Sequence, residues 1–195
     1  MAAKTAKLLY GYMGTRKPRK RAPLDAGGLW ELALKTLGAR ACSSGELRQK
    51  LRLRAERAED VEATLARLKE YRYLDDRRFA ESFAAARLEN QRLGKHRVVR
   101  DLLRRRVAPA LAEATAGKTY QNVDETRLIE EQIRRKYRNQ TKEGLFQEEK
   151  DLASAYRRLL RAGFSSGNII RVLKRFAANP DLLDGFEPPA EPVEE

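Results

Sequence analysis

From residue 29 onward the chain repeats one pattern. Apolar side chains recur three or four positions apart, with charged residues between them, and each run ends at Gly, Ser, Asp or Pro. That spacing places the apolar residues on one face of a helix, and few stretches alternate as a half-buried strand would. Trp30, Ala33, Leu34 and Leu37 mark a first helix, Leu47 and Leu51 a second, and Val61, Leu65 and Leu68 a third. Ser43-Ser44-Gly45-Glu46 has the order of a capping box, with Ser43 as cap and Glu46 reaching back. The pattern restarts after Asp75, a candidate N-cap for a helix carrying Phe79 and Phe83. Gly94 breaks that helix. Val98, Val99, Leu102 and Leu103 define the next, and Pro109 opens a short third one. A polar loop runs from Gly117 to Asp124. Beyond it come Ile129, Ile133 and Tyr137, then Leu152, Tyr156, Leu159 and Leu160, then Ile169, Ile170, Leu173 and Phe176, with Ser165 as the cap of the last helix.

Leu34, Phe83 and Ile133 lie 49 and 50 residues apart. This period predicts an all-α fold of three tandem three-helix repeats, and the high share of charged residues suits an elongated molecule. The repeats span 29–74, 75–117 and 118–178, the last with inserted loops. A single irregular helical domain with chance spacing is the competing reading. Residues 1–28, with Arg16-Lys17-Pro18-Arg19-Lys20-Arg21, read as a flexible basic arm. Residues 179–195, with Pro180, Pro188, Pro189 and Pro192 among acids, read as a disordered tail.

Charge changes the picture from fold to partner. The 195 residues are 42% hydrophobic and 35% charged, with a formal net charge of +13. Residues 1–28 hold seven basic groups and one acid, and residues 181–195 hold six acids and no Lys or Arg, so the ends cancel and the helical middle carries the surplus. A surplus of this size points to an anionic partner, most often nucleic acid. The single cysteine, Cys42, allows no internal disulfide and fits a reducing cytoplasm. No apolar run reaches the length of a membrane span, and the start does not read as a signal peptide. Catalytic chemistry is sparse. The one histidine, His96, has no companion at metal-ligand spacing. Cys42 borders a helix start, which favours a thiolate, yet a structural thiol is the simpler reading. No glycine-rich phosphate loop appears. Asp75-Asp76 suits helix capping and dipole pairing better than a carboxylate pair. We therefore expect no catalytic residue, metal or cofactor, and a monomer.

The basic residues are ordered. Arg97, Arg100 and Arg104 share one helix face opposite Val98, Val99, Leu102 and Leu103. Arg157, Arg158 and Arg161 lie opposite Leu152, Ala155 and Leu159. Arg48 and Arg52 face away from Leu47, and Arg171, Lys174 and Arg175 oppose Ile169, Leu173 and Phe176. Such a stripe is ordinarily a solvated face. Its recurrence, and the preference for Arg, favour an anion-binding track. A helix-turn-helix protein on duplex DNA, or a helical scaffold for an acidic protein, would also use one.

The block Leu68-Lys69-Glu70-Tyr71-Arg72-Tyr73-Leu74-Asp75-Asp76-Arg77-Arg78-Phe79-Ala80 resembles the signature of the RecX family, which usually has Gly where this chain has Arg72. Ala33-Leu34, Arg40, Ser43, Glu46-Leu47 and Lys50-Leu51 are similar to that family's first repeat. Arg87, Gly94, Arg97 and Leu102-Leu103 resemble its second. Glu130-Glu131-Gln132, Arg135-Lys136-Tyr137 and Leu159 to Phe164 resemble its third. The likeness covers about residues 29–178. It implies a bent protein of three-helix repeats that lodges in the groove of the RecA filament on single-stranded DNA and modulates its ATPase and strand exchange, within DNA recombination, repair and the SOS response. The family motifs mark core and turn positions, so the binding residues rest on the helix-face argument.

Overall fold

The computed structural model describes residues 22–137, 145–146 and 148–178. The basic arm up to residue 21 and the acidic tail lie outside these residues. Among those described, the helices are α1 (Ala26–Ala39), α2 (Ser44–Arg52), α3 (Ala58–Glu70), α4 (Asp76–Gln91), α5 (Lys95–Arg104), α6 (Pro109–Thr119), α7 (Glu125–Lys136), α8 (Glu149–Arg161) and α9 (Ser166–Phe176). The only extended pairings among the described residues are two isolated bridges, Leu24 with Ala55 and Phe146 with Ala177.

The helices pack in threes. Leu29, Leu47, Leu51, Leu65 and Leu68 fill the core of α1–α3. Ala80, Ala84, Val98, Leu102 and Ala112 fill that of α4–α6. Ile129, Phe146, Leu152, Tyr156 and Ile169 fill that of α7–α9. The middle core is built of small residues and leans on its neighbour. Leu88 of α4 packs on the third core, and Tyr120 belongs to both the second and the third.

Tyr120 ties them by a hydrogen bond from its phenol to the Leu93 carbonyl at 2.6 Å. Burial, with the Glu125 carboxylate nearby, pushes this phenol up to about 12. Because the folded value lies above the ordinary one near 10, the contribution is complete below pH 10 and is lost as pH rises through about 12. Tyr120→Phe is expected to lower stability by about 1 kcal/mol at neutral pH and to weaken the fall in melting temperature between pH 10 and 12. Thermal unfolding across that range checks both.

Caps follow the sequence closely. Ser43 and Glu46 form the capping box of α2. Asp75 accepts from the Arg78 amide at 3.0 Å. Asp76 does more than sit at a helix start: it crosses to α2, where the Ser44 amide donates to it at 2.6 Å and the Ser44 hydroxyl also donates. Ser165 sits at the start of α9 without capping it. Its amide and hydroxyl instead donate to Glu125, at the head of α7, at 3.0 and 2.5 Å.

Other boundaries move. Asp25 caps α1 by accepting from Gly28, so Gly27-Gly28 form a first helical turn rather than the end of the arm. Gly117 lies inside α6 rather than in the loop. Leu34, 37% exposed, and Leu103, 41% exposed, are not core residues. Leu29, Ala33 and Thr36 occupy the buried stripe of α1, and Asp101 takes a buried place on α5.

Helix ends recur in a way no period reveals. Arg72, Arg106 and Gly163 have φ of 59°, 57° and 90°. Each follows the cap of a repeat's helix, α3, α5 or α8, and the next amide returns to the helix: Tyr73 to Leu68, Val107 to Leu102 and Phe164 to Leu159, at 2.9–3.3 Å. These are left-handed helix ends with a 6→1 hydrogen bond. Arg72 therefore adopts the conformation that favours glycine. Arg72→Gly is expected to stabilise the fold by about 1 kcal/mol, the cost of a side chain in this region, read as a raised urea midpoint at an unchanged slope.

Candidate nucleic-acid interface

The second helices of the three triplets meet end to end. At one seam the Gly94 amide donates to the Ala162 carbonyl at 2.8 Å and the His96 amide to the Gly163 carbonyl at 3.2 Å. The open amides at the start of α5 are thus satisfied by carbonyls just past α8. At the other seam the Ser43 hydroxyl donates to the Arg105 carbonyl beyond α5. There the Arg105 guanidinium reaches the Ala41 carbonyl at 3.3 Å and pairs with Glu46 at 3.2 Å. Arg106 donates to the Gln49 side chain at 2.7 Å. The positive end of each helix dipole faces the negative end of the next. Both seams admit no side chain at their glycines: a Cβ on Gly45 would lie 2.4 Å from the Arg106 carbonyl, and one on Gly94 2.2 Å from that of Gly163.

This arrangement gathers most of the candidate arginines. Arg97 and Arg100 both donate to the Arg161 carbonyl, at 3.3 and 3.4 Å. Beyond the second seam, Arg48, Arg52 and Arg106 line one depression of about 400 Å³ with Leu53. Arg106 lies past the end of α5, where a helix-face argument does not reach. Arg157 and Arg161 are exposed on α8. Arg171, Lys174 and Arg175 sit on α9, where Arg175 pairs with Glu130 of α7 at 2.6 Å. Arg158 lies 5.2 Å from the Tyr137 ring and lines a separate basic depression with Arg135 and Lys136.

The stripe on α5 has a structural centre. Asp101 is 7% exposed. Arg97 contacts it at 3.0 Å, Arg87 at 3.7 Å and Arg104 at 3.9 Å. A buried carboxylate needs such partners, so Arg97 in particular holds the fold and the seam. On α2, by contrast, Arg48 and Arg52 share Glu62 at 3.0 and 3.1 Å. The Arg48 hydrogen bond, joined by the charge of Arg48 and by Arg52, holds the Glu62 carboxyl below its usual range against the opposing effect of desolvation. Exposed pairs of this kind are weak, and two cations on one acid leave a positive surplus for a ligand.

Other chemistry is not assembled. Among the described residues no group of three or more His, Cys, Asp or Glu could hold a metal ion, and no helix is long and apolar enough to cross a membrane. Cys42 is buried, and desolvation, then Glu46, raise its thiol above the ordinary value. The nearby helix start does not produce a thiolate.

Residues 75–115 match the family described as RecX, second three-helix domain. The chain is 33% identical over 170 residues to the Regulatory protein RecX of Deinococcus radiodurans, covering 84% of this chain and 78% of that protein. It is 30% identical over 105 residues to the Regulatory protein RecX of Trichlorobacter lovleyi, covering 54% and 68%. The crystal structure of RecX from Lactobacillus salivarius aligns with a TM-score of 0.62 at 16% identity, covering 77% of this chain and 96% of that one. A second crystal structure of regulatory protein RecX gives 0.57 at 18%, covering 76% and 73%. At such identities the structural likeness speaks for the fold alone.

Proposed function

The chain belongs to the RecX family, and from that premise we propose that it is a non-enzymatic regulator of RecA. It binds the RecA filament on single-stranded DNA and restrains ATP hydrolysis and strand exchange. It acts as a monomer in the cytoplasm, without metal or cofactor. The observation that carries this reading is the clustering of arginines at the two seams, where Arg97 and Arg100 reach the backbone carbonyl of Arg161 and Arg106 lines one depression with Arg48 and Arg52. A filament groove presents phosphates and subunit carboxylates together, and guanidinium groups grip both by paired hydrogen bonds. The surplus of +13 adds long-range attraction.

Binding measured side by side on bare duplex, bare single strand and RecA-coated single strand tests this reading. The coated strand is expected to bind most tightly, with affinity falling as salt rises. Equal or tighter binding to bare duplex would favour a helix-turn-helix DNA-binding protein. Binding to neither nucleic acid nor filament would favour a scaffold for an acidic protein.

A further inference from the structure

In the Tyr73-Leu74-Asp75-Asp76 block, three residues have evident structural tasks. Leu74 is buried in the first core, Asp75 caps α4, and Asp76 clamps Ser44. Tyr73, and Tyr71 two positions before it, do not share in this. Tyr71 is 53% and Tyr73 60% exposed, turned outward on either side of left-handed Arg72. Their rings lie 6.3 Å apart, and Trp30 stands edge-on to Tyr71 at 6.0 Å. The Arg67 guanidinium lies 4.2 Å over Trp30 and 5.5 Å from Tyr71, bracing the group. Tyr73 also lines a cavity of about 570 Å³ between the first two triplets, with Phe79, Phe83, Arg72, Arg78 and Arg105. Asp75 reaches that cavity too, but its carboxylate is engaged by the Arg78 amide.

We propose that this surface, from Trp30 over Tyr71 and Tyr73 into the cavity at Phe79 and Phe83, seats unstacked bases of single-stranded nucleic acid. Tyr71 and Tyr73 supply the exposed π faces, and the guanidinium groups beside them, with Arg105 lying 5.5 Å and 5.9 Å over Phe79 and Phe83, supply positive charge. A ligand that answers both is a single strand, whose bases present free faces beside phosphates. A duplex keeps its faces stacked, and an acidic peptide answers the charge alone. The cavity is of the size that holds small planar ligands. The site shares Arg105 with the second seam but requires no RecA, so its failure is distinguishable from that of the filament reading.

Trp30 is the only tryptophan in the chain and serves as the probe. The intact protein, without RecA, is titrated with oligothymidylate, with an abasic single strand of equal length and with duplex DNA. Oligothymidylate is expected to quench Trp30 and to bind about fivefold or more tighter than the abasic strand, the scale of stacking one base on a ring. Tyr71→Ala with Tyr73→Ala is expected to erase that preference while leaving the salt slope unchanged. Tyr71→Phe with Tyr73→Phe should keep it, because stacking needs the ring and not the hydroxyl. Circular dichroism controls for folding, and the parent titration needs no variant. Equal binding of abasic and base-bearing strands by the parent would overturn the proposal. A folded double-alanine protein with parental preference would do the same. If that protein bound oligothymidylate normally but lost the RecA filament, the surface would be a protein-docking site instead.

Discussion

Gly163→Val is expected to cost about 3 kcal/mol or more and to loosen the seam between the second and third triplets. Two effects add. Gly163 has a φ of 90°, where a side chain is strained by about 1–2 kcal/mol. A Cβ there would lie 2.2 Å from the Arg97 amide nitrogen and 2.4 Å from the Arg97 Cβ, overpacking of a kind that costs about 1–3 kcal/mol. Neither atom can yield without moving the start of α5 away from the end of α8, because the Gly94 and His96 amides are bound to the carbonyls of Ala162 and Gly163. The melting temperature is expected to fall by about 6–12 °C, and hydrogen exchange at Gly94 and His96 should rise first. The other seam supplies the control. There Arg106 holds the left-handed place with a side chain, and the room comes from Gly45 opposite. Gly45→Val should therefore be damaging where Arg106→Gly is not. A Gly163→Val protein that melts like the parent, with unchanged exchange at Gly94, would show that the helix ends do not meet as described.

The second large effect is on binding. Changing Arg52, Arg157 and Arg161 together to Ala is expected to weaken filament binding and to flatten its salt slope by about one for each phosphate no longer gripped, up to about three. All three are exposed. The seam uses the carbonyl of Arg161, which the substitution leaves in place. Folding should survive. Arg97→Ala makes the contrast, since it strips the shortest ion pair described for buried Asp101 and a donor to the seam. That variant is expected to lose stability as well as binding. Melting curves beside salt titrations separate the two. If the triple variant binds the filament as the parent does at every salt, those positions are a solvated surface. If Arg97→Ala leaves melting unchanged, Asp101 does not depend on it.

Much of the fold was legible because it is local. Apolar spacing, the Ser43–Glu46 box, the Asp75 cap and Pro109 each act within a turn or two of helix. The seams were not legible. They join residues 57 to 68 positions apart through backbone carbonyls, left-handed turns and long arginine side chains, none of which follows a period. Arg72 and Arg106 hide their conformation, because nothing in an arginine announces a positive φ. Asp101 sits among charged residues and reads as solvent-facing until Arg87, on the preceding helix α4, folds over it. Leu34 and Leu103 fell on the apolar pattern but just outside the buried arc, where an i, i+3, i+4 rule cannot resolve a shift of one position. The arginine stripes were visible as helix faces. That they are joined across two seams, with Arg106 added, depended on where the ends of α2, α5 and α8 meet.

RecA-catalysed ATP hydrolysis on single-stranded DNA, followed as the protein is added over a range of salt, tests regulation of RecA most directly. Hydrolysis is expected to slow in proportion to the protein bound, and the effect to fade as salt rises. The Arg52, Arg157 and Arg161 triple variant should require more protein for the same slowing. An unchanged rate at saturating protein and low salt would contradict a role in restraining RecA.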